Sequence, residues 1–176
     1  HHNPEEKMWS LKGGKLRLNS MPAEQLMWAR NTLTQRVIGP TSITTVELNV
    51  KGMKDGDVAG LGNINVPCSW IGIVKKAADK KSYTLRCFEQ LTNDTADVQV
   101  SLPEGKIWLR SIGEYDQDQA QYAYSTDGKN FQTLGRMMPL SYQLISFQGS
   151  RHALFAFNIN GKNGGYAEFD NFYVEE

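Results

Sequence analysis

Apolar and polar residues alternate with a period of two along most of this chain, most clearly across residues 107–134. There Ile107-Trp108-Leu109-Arg110, Gln121-Tyr122-Ala123-Tyr124 and Phe131-Gln132-Thr133-Leu134 are separated by turn-favouring residues, a pattern that predicts a three-stranded meander. Asp127-Gly128 marks the second reversal, where Gly reaches a positive φ without steric penalty. In the middle strand Tyr122 and Tyr124 share one face, expected to be buried. Gln121, Ala123 and Ser125 share the other, expected to be open to a partner.

The rest of the chain repeats this rhythm. Leu11, Leu16 and Leu18, interrupted by Gly13-Gly14, predict a hairpin or two short strands. Residues 23–28 suit a single helical turn opened by Pro22, and residues 29–37 a strand. Residues 41–50 predict a half-buried strand with Val46, Leu48 and Val50 inward. Further strands are expected at 58–63, 69–75, 83–89 and 98–102, with 91–98 as a polar connection. Residues 138–147 read as a loop or irregular strand, followed by strands at 151–158 and 166–174. Short strands with turn signals roughly every 8–12 residues and almost no helical periodicity predict one all-β domain over residues 1–176. The expected architecture is an antiparallel two-sheet sandwich of jelly-roll type.

Charge narrows the partners. Nineteen basic and nineteen acidic residues cancel, so neither a nucleic-acid backbone nor an anionic membrane is a natural target. No apolar run approaches the roughly 20 residues of a membrane-spanning helix. Polar residues 1–6 predict an unstructured start, and His1-His2 suggests a purification tag. Two cysteines are too few for a disulfide framework. A symmetric hairpin turning near Ala78-Asp79 sets Cys87 opposite Trp70 rather than Cys68, which favours two free, buried thiols.

Catalytic chemistry is not evident. His152 is the one histidine inside an expected strand, where a surface or hydrogen-bonded structural role is the reading. Asp55, Asp57, Asp94, Asp116, Asp118 and Asp127 fall in turns, where Asp bonds locally. Aromatic residues say more: four Trp, seven Tyr and seven Phe suit a partner whose C–H faces pack on rings while its hydroxyls bond planar polar side chains, as sugars do. Alternation assigns Tyr122, Tyr124, Phe155, Phe157, Phe169 and Phe172 to the core. Trp108 shares a strand face with Arg110, away from Ile107 and Leu109, and is a candidate for an open surface. Trp70, just after Pro67, is a second candidate.

Several motifs carry a family likeness. They are Arg30-Asn31-Thr32-Leu33-Thr34-Gln35-Arg36 with Gly39-Pro40, Met53-Lys54-Asp55-Gly56-Asp57 with Ala59-Gly60-Leu61, and Trp70-Ile71-Gly72. Tyr124-Ser125-Thr126-Asp127-Gly128-Lys129-Asn130-Phe131, Phe147-x-Gly149-x-Arg151 and Gly164-Gly165-Tyr166 with Phe169-Asp170-x-Phe172 continue the series. In this order they resemble the C-terminal sandwich domain of family 43 β-xylosidases and α-arabinofuranosidases. The resemblance implies a concanavalin A-like sandwich appended to a five-bladed catalytic propeller. His2-Asn3-Pro4 followed by Trp9-Ser10-Leu11 is similar to the family's opening, which makes His2 native and sets the family's first strand outside this numbering.

What the resemblance implies is a non-catalytic accessory module that recognises xylan or xylo-oligosaccharides, with the catalytic propeller as its partner in cis. In that reading Trp70 and Trp108 stack on sugar rings while Arg110 and Gln121 bond hydroxyls. The alternative is a bracing domain that shapes the rim of the active site without binding sugar. Related sandwiches also place calcium against a carboxylate and backbone carbonyls at the position of Asp170, so a structural calcium is a further expectation; no other cofactor is required.

Overall fold

The structure, a computed structural model, describes residues 3–140 and 149–176. Among them the strands in chain order are β1 (Trp9–Lys12), β2 (Lys15–Asn19), β3 (Met21–Pro22), β4 (Leu33–Arg36), β5 (Thr41–Asn49), β6 (Asp57–Ile64) and β7 (Ser69–Val74). There follow β8 (Ser82–Glu89), β9 (Asp94–Ser101), β10 (Lys106–Glu114), β11 (Gln119–Ser125), β12 (Gln132–Pro139), β13 (Arg151–Asn158) and β14 (Tyr166–Glu175). Two short 3-10 turns, Glu6–Met8 and Leu26–Trp28, complete the elements. The first sheet runs β1-β2-β14-β5-β10-β11-β12; the second runs β3-β13-β6-β7-β8-β9, with β4 also paired to β13. All pairings are antiparallel except β3 with β13. The expected all-β sandwich is what forms.

Alternation positions the core between the sheets. Along β10, Ile107 and Leu109 point inward and are fully buried, and they meet Val46 and Leu48 of β5 and Tyr122 of β11. From the second sheet Ala59, Leu61, Ile71, Ile73, Leu85 and Cys87 close the same cluster. Fully burying each such aliphatic side chain contributes about 1.5–3 kcal/mol. One polar knot is buried with them: the Tyr122 hydroxyl accepts from Asn63 Nδ2 at 2.8 Å and shares a bond with Ser69 Oγ at 2.8 Å, while Asn63 Nδ2 also donates to Ser111 Oγ at 2.9 Å.

Four expectations change. Residues 94–101 form one strand, β9, so the polar connection shrinks to the tight turn after Glu89. Its outward residues, Thr95, Asp97, Gln99 and Ser101, are exposed and polar, as suits the edge of a sheet. Cys87 pairs with Ile71, and Trp70 with Phe88; the one-residue shift turns Cys87 into the main core and leaves Cys68 in a second cluster on the other side of the sheet. Both thiols are free and buried. On β5 the face opposite Val46 and Leu48 is not open, since Thr45 and Glu47 are buried as well. Ala123 and Ser125 on β11 are also buried. Residues 141–148, most of the expected irregular stretch, lie outside the described residues.

Candidate functional site

Trp108, Arg110 and Gln121 lie on the outer face of the first sheet. Trp108 stands between Glu47 and Ser125 of the neighbouring strands, Arg110 between Thr45 and Ala123, and Gln121 beside Ile112. Two of the three, Arg110 and Trp108, already meet the chain itself. The Arg110 guanidinium sits 3.6 Å over the Phe131 ring, and its Nε donates to Thr45 Oγ1 at 3.0 Å. Phe131 and the turn before it reach back over the sheet because Asp127 winds the turn tightly: its Oδ1 accepts from the backbone of Lys129 and of Asn130, each at 2.8 Å. Those bonds hold the Asp127 carboxyl well below the usual carboxylate range. Gly128, at φ +74°, lies so close to the indole that an added Cβ would come within 2.9 Å of Trp108 Cε2. Trp108 is therefore packed beneath this turn as well as facing outward.

Trp70 stands on the other sheet. It is 5% exposed and belongs to a second apolar cluster on the outer face of that sheet, with Leu26, Ala29, Val58, Val74, Phe155 and Phe157. The four expected sugar contacts are thus divided between two sheets. The ring of Trp70 is flanked by Phe88 at 5.5 Å and Phe155 at 5.6 Å, and Phe155 stacks on Phe157 at 5.7 Å, giving four rings in succession across β13, β7 and β8. β6 passes between them as Gly60 and Gly62; a Cβ at Gly62 would fall 3.0 Å from the Trp70 Cβ and 3.1 Å from Leu26. Only the absence of side chains lets rings and the covering segment close over the strand.

Where that cover ends, a groove of about 500 Å³ opens, lined by Trp70, Phe88 and Phe157 and by Gln25, Arg86 and Thr95 among others. This volume lies within the range of small-ligand sites. Arg86 is fixed by a two-point bond to Asp97, Nε to Oδ1 and Nη2 to Oδ2, each 2.8 Å. The pair lowers the Asp97 carboxyl and raises the guanidinium. Sequence reasoning passed over Phe88 and Arg86. The signal lay in the alternation Leu85-Arg86-Cys87-Phe88, which sets a guanidinium and a ring on the face away from the core.

An apolar edge lies where β1 and β2 of the first sheet come alongside β4 of the second. Trp9, Leu11 and Leu33 are 43%, 68% and 54% exposed. They border two hollows of about 370 and 140 Å³ that share Leu16 and Leu33. The larger hollow reaches His152, which is buried and bonded through Nε2 to Thr44 Oγ1 at 3.0 Å. Burial pushes this imidazole down to about 4. The hydroxyls bonded to it, Thr44 and Ser42, are as buried as the ring, and among the described residues no carboxylate orients it, so this neutral histidine serves packing and internal hydrogen bonding. Burial also pushes both thiols up to about 12, which removes thiolate reactivity.

Asp170 pairs with Glu47 across β14 and β5. Glu47 is already engaged by Lys106 Nζ at 2.9 Å and by Asn171 Nδ2 at 3.1 Å, and Asp170 Oδ1 accepts from the Asn171 amide. Among the described residues no group of three or more His, Cys, Asp or Glu is placed to hold a metal. Side chains alone fall short of the six to eight oxygens that calcium takes.

Known proteins share the family and the fold of this chain. The family model described as "Beta xylosidase C-terminal Concanavalin A-like domain" matches residues 1–175. A β-xylosidase of Formosa agariphila is 28% identical over 196 residues, covering 98% of this chain and 32% of that protein. A bifunctional GH43-CE protein of Bacteroides eggerthii superposes with a TM-score of 0.86 at 33% identity, covering 99% of this chain and 23% of that one. A GH43 glycoside hydrolase engineered to show both endo-xylanase and exo-arabinofuranosidase activity also reaches 0.86, at 25% identity, with 99% and 37% covered. The chain spans about a third or less of the length of the Formosa and Bacteroides relatives. With its whole length matched and its two-sheet architecture in place, it belongs to the C-terminal concanavalin A-like domains of the family 43 β-xylosidases.

Proposed function

We propose that this chain is the non-catalytic accessory domain of a xylan-degrading glycoside hydrolase, packed in cis against the catalytic propeller through its β1–β4 edge. The apolar rim of Trp9, Leu11 and Leu33 around two adjoining hollows carries this reading, because contiguous apolar surface left in water favours association. The two leucines alone leave on the order of 2–4 kcal/mol of burial unrealised. Relatives three or more times longer give such an edge a partner within the same polypeptide. Sedimentation velocity tests it: the isolated chain associates as its concentration rises, and the double variant Leu11→Ser/Leu33→Ser does so less while unfolding at nearly the same temperature. A parent that stays monomeric at every concentration would count against the docking edge. The chain by itself releases no xylose from aryl xylosides.

A second reading, recognition of xylan or xylo-oligosaccharides, is favoured by the groove beside Trp70. The half-buried Phe88 ring and fixed polar side chains meet there at the surface, with Trp70 and Phe157 buried beneath.

A further inference from the structure

The outer face of the second sheet differs from the docking edge in its chemistry. The edge is apolar, whereas the groove across β7, β8 and β9 mixes the rings of Trp70, Phe88 and Phe157 with Arg86, Gln25 and Thr95. Two of these polar groups are already oriented. Arg86 spends Nε and one Nη2 bond on Asp97, and its Nη1 donors take no part in that pair. Gln25 accepts from Gln90 Nε2 through its Oε1 at 3.4 Å, which turns the amide so that its own Nε2 donors lie outside that bond. Donors held this way lose little freedom when they bond a ligand.

Charge selects the ligand class. The guanidinium is neutralised by Asp97, and Glu24 is the other charged residue on the lining, so a polyanion finds no uncompensated cation. A wholly apolar partner would strand the guanidinium and amide donors. What remains is a neutral ligand with apolar faces and many hydroxyls. Phe88 is half-buried and Ile159 at the groove margin is 48% exposed, so apolar surface is within reach of a pyranose face.

We infer that this groove binds a neutral β-1,4-linked xylose chain, packing pyranose C–H faces along Ile159 and along Phe88, whose ring the buried Trp70 supports at 5.5 Å, and bonding hydroxyls with Arg86 Nη1 and Gln25 Nε2. The inference rests on the second reading above and supplies it with a site. It is independent of the β1–β4 edge, and it places the glycan on the opposite sheet from Trp108, Arg110 and Gln121.

Calorimetric titration of the 176-residue chain with xylohexaose, with maltohexaose as control, is the test. Binding of xylohexaose is expected in the parent, unchanged between low and high salt because the ligand is neutral. Arg86→Gln and Gln25→Ala, both half-buried and outside the core, are each expected to weaken it roughly tenfold or more with unfolding temperature nearly preserved. Trp108→Ala is expected to leave it intact. Failure of the parent to bind xylohexaose overturns the recognition reading and the site together. Binding that survives the double variant Arg86→Gln/Gln25→Ala, or that is lost in Trp108→Ala, overturns the site alone. Equal binding of maltohexaose overturns the assignment to xylose.

Discussion

Replacing Trp108 by Ala separates a packing residue from a sugar contact. The indole stands on β10, between Glu47 and Ser125, with the Gly128 backbone against one side. Truncating a fully buried Trp to Ala costs about 3–5 kcal/mol. Part of the Trp108 ring faces water, so roughly half of that, about 1.5–2.5 kcal/mol, is expected. In a chain of 176 residues each kcal/mol moves Tm by about 2–4 °C. The variant should therefore unfold roughly 3–10 °C below the parent, as the turn over the indole loosens. Scanning calorimetry reads the stability, and affinity electrophoresis in soluble xylan reads retention on the same samples. A lowered Tm with unchanged retention is the expected result. An unchanged Tm with lost retention would refute the packing argument and make Trp108 a stacking platform.

Other outcomes follow from the interior and from β14. Tyr122→Phe removes a hydroxyl bonded to Asn63 and Ser69 and should cost about 1–3 kcal/mol in urea unfolding, because the Ser69 hydroxyl loses its partner in the core. His152 has a folded-state pKa of about 4 against an ordinary 6.5, so between those values the unfolded chain binds more protons. Its contribution is complete above pH 6.5 and is lost as the pH falls toward 4, by up to roughly 3 kcal/mol. His152→Gln should flatten that part of the stability profile, and an unchanged slope would show that other groups produce it. Calcium at Asp170 is checked by thermal unfolding with calcium or chelator. With Glu47 already bonded to Lys106 and Asn171, a change in Tm of less than a degree or so is expected, and a clear rise with calcium would assign the ion.

Most of the fold was legible because period-two alternation states which residues face inward. Ile107 and Leu109, Val46 and Leu48, and Tyr122 and Tyr124 all lie where their spacing set them. The order of strands was not legible, since β14 pairs with β5 and β13 with β6 across long stretches of chain. Nor was the fate of the second face of each sheet. Trp70 is as well placed by alternation as Trp108, yet the segment carrying Leu26 and Ala29 folds over its sheet and covers it. Ala123 and Ser125 look open in sequence, but a turn wound by Asp127 closes on that side. Such cover comes from residues tens of positions away and has no local signature. Cys87 was displaced from its expected register because the connection from β7 to β8 is not symmetric about Ala78-Asp79.

The proposed docking of the β1–β4 edge is tested most directly by calorimetric unfolding of this domain joined to a family 43 catalytic propeller, compared with its Leu11→Ser/Leu33→Ser variant. If the edge packs on the catalytic part, the parent unfolds with the two parts coupled, and the variant separates them or lowers the transition by several degrees. Two independent transitions in the parent, unmoved by the double substitution, would contradict the account.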